Sequence, residues 1–200
     1  TESQQQAQAL APGAAQQQDK PSFVKVSPFN DYRLEGLKMD PPKELCPHIL
    51  VEHETTILFS GPGVGKTALA TQIAFELAEQ GMRVLVVNFE LSQQQLALRY
   101  PNKEFPNTLY HASIDYTKMH DVTDQNLILP EIERLAVERN IELIIIDNFT
   151  NLCINSKEAA EAGNIMVKLL AMRMTHNWTM LILAHVPKRK QGDPLTIDDL

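Results

Sequence analysis

Ser60-Gly61-Pro62-Gly63-Val64-Gly65-Lys66-Thr67 is a run whose residue types and spacing suit one task, holding a chain of phosphates. Glycines let backbone N–H groups converge on phosphate oxygens without Cβ clashes, and a helix opening at Lys66 adds the positive end of its dipole. The Lys66 ammonium would reach the outer phosphates, and the Thr67 hydroxyl would ligate Mg²⁺. Gly61, Pro62, Gly63, Val64, Gly65, Lys66, Thr67 and Ala68 therefore form the candidate nucleotide-binding set. The run departs from G-x-x-x-x-G-K-[ST] at its first position, where Ser60 stands for glycine. The bland alternative, a glycine-rich turn without function, sits poorly with the apolar strand before it and the amphipathic helix after it.

Three further side chains fall where such a loop would need them. Asp147 ends the apolar run Leu143-Ile144-Ile145-Ile146, the pattern of a strand whose terminal carboxylate holds the Mg²⁺ shell. Glu90 follows the apolar run 84–89, and a carboxylate at that sheet edge can orient and deprotonate an attacking water. It reads equally as a solvated acid ahead of a helix capped by Ser92. His185 ends the apolar run 178–185 and could hydrogen-bond the terminal phosphate or simply face water. Beyond it, Lys188, Arg189 and Lys190 are the one dense basic cluster in the chain. Three adjacent cations are commonly a solvated loop, and here they are also the best candidate contact to a nucleic-acid backbone.

These side chains must be carried by a regular scaffold, and the pattern supplies one. Apolar runs at 55–59, 84–89, 141–147 and 178–185, with a weaker one at 108–112, read as strands. Residues 67–80, 92–100, 129–139 and 158–175 read as helices between them. Leu69, Ile73 and Leu77 should form the buried face of the first, with Gly81 just past its end. Strands without polar alternation, separated by helices, imply a mostly parallel sheet covered on both faces, so the fold class is α/β. Met166, Met172 and Met174 on the last helix read as core or interface filler. Residues 148–163, with Asn151, Asn155 and Ser156, read as a loop after the Asp147 strand.

Composition narrows the partners. The chain has 200 residues, 18 Lys plus Arg against 25 Asp plus Glu, and a net charge of −7, so general attraction to nucleic acid or anionic membrane is not expected. Apolar runs are too short to span a bilayer, and the start lacks a signal-peptide pattern, which favours a cytoplasmic protein. Cys46 and Cys153 show neither disulfide nor metal-ligand spacing and read as thiols in a reducing compartment. Residues 1–22 hold seven glutamines and five alanines and read as a disordered linker or tail. Residues 23–200 then read as one domain carrying the candidate nucleotide site, with 23–51 an extended lead-in carrying one short helical turn. The missing initiator methionine suggests a fragment or a processed chain.

Taken together, Gly63-Val64-Gly65-Lys66-Thr67, Phe89-Glu90-Leu91-Ser92, residues 143–147 and Leu183-Ala184-His185 resemble the RecA-like P-loop ATPase core of hexameric replicative helicases. The likeness is to the plasmid RepA-type and DnaB-type branch, also grouped with AAA-family ATPases. Residues 194–200 are similar to a segment that precedes a DNA-facing hairpin there. The resemblance implies ATP and Mg²⁺ as ligands, Glu90 as catalytic base and His185 as γ-phosphate sensor. It also implies a homo-oligomeric ring in which a neighbour lends a basic finger, and action on single-stranded DNA in replication, recombination or repair. Two alternatives use the same residues: a nucleotide-gated switch or recombination mediator that does not translocate, and a small-molecule kinase. Such kinases usually carry an arginine-rich lid, and no arginine cluster follows Asp147 before Arg173.

Overall fold

The computed structural model describes residues 23–119, 126–153 and 159–185, the last stretch with side chains from 162 onward. The glutamine-rich residues 1–22, Asn155, Ser156, the basic triplet Lys188, Arg189 and Lys190, and residues 194–200 lie outside the described residues. The chain divides into two compact units, residues 1–41 and 42–200. In the first, helix α1 (Phe29–Gly36) follows Pro28 and is two turns long where the sequence suggested one. Proline before a helix forfeits no hydrogen bond, and Leu37 closes the end by donating its N–H to Arg33 O at 3.0 Å.

The second unit opens with a small antiparallel pair, β1 (Glu44–Cys46) and β2 (Leu50–Val51). Then come β3 (Thr55–Ser60), α2 (Lys66–Glu79), β4 (Val84–Asn88), α3 (Gln93–Arg99) and β5 (Leu109–Ser113). After a 3₁₀ turn at Tyr116–Lys118 follow α4 (Ile128–Glu138), β6 (Leu143–Asp147), α5 (Phe149–Leu152), α6 (Ala159–His176) and β7 (Thr179–His185). Five strands form one sheet in the order β3-β7-β6-β4-β5, every pair parallel. The α/β expectation holds.

Alternation along the strands is present but masked, because both sheet faces are apolar. Leu85, Val87, Ile144, Ile146, Met180 and Ile182 face one core with Leu129, Ile132 and Ala136 of α4 and Leu169 and Met172 of α6. Val84, Leu143, Ile145, Leu181 and Leu183 face the other, against Ala70, Ile73, Ala74, Leu77 and Ala78 of α2. Ile144, Ile145 and Ile146 are fully buried, each worth about 1.5–3 kcal/mol of burial free energy. The α2 face differs from the expected one: Leu69 is exposed and Ala70 takes its place, because alanines at 70, 74 and 78 let the helix sit close on the sheet.

Three helices turn into three strands by one device. Gly81 (φ 95°), Asn140 (φ 51°) and Asn177 (φ 56°) take the left-handed conformation just past α2, α4 and α6. Met82, Ile141 and Trp178 then donate back to Leu77, Ala136 and Arg173 carbonyls at 3.1, 2.9 and 3.1 Å. Ile141 and Trp178, expected as strand residues, thus belong to helix ends and are buried there. Of the three methionines on α6, Met172 is core and Met166 packs against it, but Met174 is exposed. Cys46 and Cys153 form no disulfide. Among the described residues no helix is long and apolar enough to cross a membrane.

Candidate active site

Parallel pairing brings the C-terminal ends of β3, β7, β6 and β4 to one edge of the sheet. The register sets Ser60 opposite His185 and Asn88 opposite Asp147. Every residue singled out as chemistry-bearing in the described region therefore arrives at that edge for topological reasons. A cavity of about 210 Å³ opens there, lined by residues 63–68 together with Glu90, Arg99, Asp147 and His185. A larger cavity of about 440 Å³ between Ser113–Lys118 and α4 is mostly apolar-lined and holds no such loop, so size does not locate the chemistry.

The loop is shaped as its glycines require. Gly63 (φ 75°) and Gly65 (φ 101°) occupy the left-handed region, and no atom lies within 4 Å of where a Cβ would stand at either. Conformation, not crowding, selects glycine at both. Gly65 is the N-cap of α2 and supplies no side-chain acceptor, so the first helical N–H groups stay available to an anion.

Lys66 Nζ is surrounded by oxygen and nitrogen acceptors: Ser60 O at 2.7 Å, Ser60 Oγ and Gly61 O at 3.0 Å, and His185 Nδ1 at 3.1 Å. The Ser60 departure from glycine thus has a role, since its hydroxyl is one of the lysine's acceptors. Because an ammonium only donates, Nδ1 of His185 accepts, and the ring proton sits on Nε2. That nitrogen lies 3.1 Å from Glu90 Oε1. Burial pushes the Lys66 pKa below its ordinary value, opposed by the nearby Glu90 and Asp147 charges.

Glu90 lies two residues past β4, on a turn built by Asn88. The Asn88 Oδ1 accepts from the N–H of Glu90 at 2.8 Å and of Leu91 at 2.9 Å. Its amide nitrogen donates to Leu91 O and to His111 Nε2 on β5, and burial lowers the His111 pKa. Ser92 then caps α3 in a reciprocal box with Gln95. This helix delivers Arg99 to the cavity wall, where its charge partly offsets the burial of Asp147.

Asp147 is 4 % exposed, and burial raises its pKa, countered by a hydrogen bond from Thr67. A buried carboxylate beside a hydroxyl and an anion cradle is an incomplete oxygen donor set, which a hard divalent cation and its waters would complete. Thr67 and Asp147 therefore fit Mg²⁺.

Asparagines were not among the sequence candidates. The stretch after Asp147 was expected as loop, yet Asn148 is 1 % exposed and caps α5 by accepting from Asn151 N–H at 3.0 Å. Asn148 Nδ2 donates to Glu90 Oε1, as does Asn151 Nδ2 at 3.3 Å. An Asn immediately before a short segment able to turn helical is a capping signal that could have exposed α5. Nothing local announces that it also reaches Glu90.

A parallel sheet with a phosphate cradle after its edge strand, an acid closing β6 and a third strand between them defines an α/β P-loop NTPase of RecA-like fold. Within that class the chain belongs to the AAA domain family, whose model matches residues 20–191. It is similar to the DNA repair protein RadA of Campylobacter jejuni, 28% identical over 146 residues, covering 70% of this chain and 30% of that protein. RadA of Synechocystis is 30% identical over 144 residues, covering 66% and 28% respectively. The chain thus spans under a third of the length of these relatives. Among solved structures, the KaiC-like protein PH0186 of Pyrococcus horikoshii superposes with a TM-score of 0.57 at 19% identity, covering 68% of this chain and 63% of that one. That likeness bears on fold alone.

Proposed function

We propose that this chain binds and hydrolyses ATP and acts in DNA repair, recombination or replication, coupled to single-stranded DNA. The observation that carries the reading is the unbroken line Lys66–His185–Glu90 at the mouth of the phosphate loop, two contacts of 3.1 Å each. In this reading the Gly61–Ala68 backbone and Lys66 hold the triphosphate. Thr67 and Asp147 hold Mg²⁺, which when bound screens phosphate charge. Glu90 takes the proton of the attacking water. His185, touching both the phosphate-binding lysine and the base, changes partner when a γ-phosphate enters and passes that state to the residues after β7.

Those residues include Lys188, Arg189 and Lys190, our candidate contact to single-stranded DNA. With a net charge of −7, binding should be local and depend on ATP or assembly. The RadA relatives, named as DNA repair proteins, support the nucleic-acid setting. A cytoplasmic homo-oligomeric ring with a neighbour's basic finger, and translocation as in replicative helicases, are the finer readings that the family likeness suggests.

The test is ATPase rate with and without single-stranded DNA, for wild type, Lys66→Ala and Glu90→Gln. Hydrolysis that DNA stimulates and both substitutions abolish supports the reading. Hydrolysis indifferent to DNA removes the coupling, and strand-displacement assays separate a helicase from a non-translocating switch.

A further inference from the structure

Glu90 is held twice, and the two restraints come from different elements. Its backbone is fixed by Asn88 from within β4, as described above. Its carboxylate is approached from the other side by α5 and the end of β6. Asn148 and Asn151 both direct their amide nitrogens at Oε1, and His185 Nε2 reaches the same atom. The orientation of Asn148 is not arbitrary: its oxygen is engaged by the Asn151 N–H, so the nitrogen must face Glu90. All three donors fall on one oxygen, and none of these contacts engages Oε2.

We propose that Asn148 and Asn151 are positioning residues that pin Oε1 of Glu90, so that Oε2 receives the proton of the attacking water. This rests on the reading of Glu90 as base. Strand order explains why the pair can do this. Asn88 and Asp147 are register partners on adjacent strands, so the residue after Asp147 emerges beside the turn that carries Glu90. The cap then folds the chain back by one turn and delivers Asn151 to the same spot. An amide suits the task, because it donates a hydrogen bond without supplying a charge that would compete with Lys66 for phosphate.

The experiment is steady-state ATP hydrolysis by the full-length protein carrying Asn151→Ala, Asn151→Asp, Asn151→Gln or Asn148→Asp. Binding of a fluorescent ATP analogue serves as the check on folding. Asn151→Ala should lower kcat about tenfold, the worth of one hydrogen bond to a charged group, with KM within twofold. Asn151→Asp should be slower still, since a second carboxylate would face Glu90, and Asn151→Gln should recover part of the loss. Asn148→Asp keeps the cap oxygen and the shape, and should also lower kcat with KM little changed. A purely structural role predicts the reverse order. Aspartate matches asparagine in size and suits the first turn of α5, so it would be milder than alanine.

Aspartate milder than alanine, or kcat within twofold of wild type for all four, overturns the proposal. Glu90→Gln measured alongside separates the two failures. If it loses hydrolysis while the asparagine variants keep theirs, the pinning falls alone. If it hydrolyses at the wild-type rate, the base assignment falls and the pinning with it.

Discussion

Lys66 Nζ and His185 Nδ1 stand 3.1 Å apart, at the ends of two neighbouring elements that a 119-residue separation in sequence would not associate. Pairing of β3 with β7 makes the contact, by setting Ser60 beside His185 just where the phosphate loop begins. On the proposed reading, a ring in contact with both Lys66 and Glu90 would couple substrate recognition to the base. Replacing His185 by alanine removes hydrogen bonds to two charged partners. The expected result is a kcat lower by about 10–100-fold, with ATP still bound, read by hydrolysis and by nucleotide-analogue fluorescence on the same preparation. A variant with wild-type kcat would show that the contact is incidental.

Asp147 gives a prediction with a sign. Burial raises its folded-state pKa above the unfolded value, so its contribution to stability is full at pH below the unfolded value near 3.8 and is lost as pH rises through the raised folded value. At neutral pH the buried charge is a liability that the bound cation would relieve. Asp147→Asn should therefore raise the melting temperature of the nucleotide-free protein at pH 7. The gain should shrink as pH falls toward 4, and hydrolysis should be lost. Thermal melts across that range decide it, and a variant less stable than wild type at pH 7 contradicts the burial argument.

Much of this site was legible because its parts sit at strand ends. Asp147 and His185 close apolar runs, Glu90 lies just past one, and Lys66 opens the helix after the loop that leaves β3, so parallel strands deliver them to one edge. What the pattern could not contain was strand order. Strands buried on both faces show no polar alternation to specify neighbours, so the adjacency of Ser60 to His185, and of Asn88 to Asp147, became visible only in three dimensions. The asparagines escaped for a related reason: Asn148 and Asn151 act across 58 and 61 residues, and composition marks them only as loop formers. Arg99 escaped because α3 read as an ordinary capped helix, with nothing to show which side of the sheet edge its end would meet. On α2 the error was one of size. Leu69 looked like core, whereas close helix–sheet approach selected Ala70.

Backbone conformation at Gly65 separates binding from folding. Its φ of 101° is strained for any L-residue, although space for a methyl exists. Gly65→Ala should cost about 1–3 kcal/mol of stability. If the loop instead relaxes to avoid that strain, the amides proposed to hold phosphate turn away. Either way ATP affinity should fall at least tenfold, measured by analogue titration, with chemical denaturation reporting how the loss divides. Unchanged affinity would mean that the loop does not hold phosphate in this conformation.

Ser92 offers the most local test of how the scaffold supports the site. Its hydroxyl accepts from Gln95 N–H at 3.2 Å while the Gln95 side chain accepts from Ser92 N–H at 2.9 Å, closing both ends of the first turn of α3. The helix has only seven residues and buries none of them, so packing contributes little to holding it. A cap worth about 1 kcal/mol is then a large share of its local stability. Ser92→Ala should leave the global unfolding midpoint within a few degrees, yet speed amide exchange through 93–99. Because Arg99 rides on the last turn, the same substitution should raise the KM for ATP more than it lowers kcat. Exchange rates in that helix equal to wild type would show that α3 is held by something other than its cap.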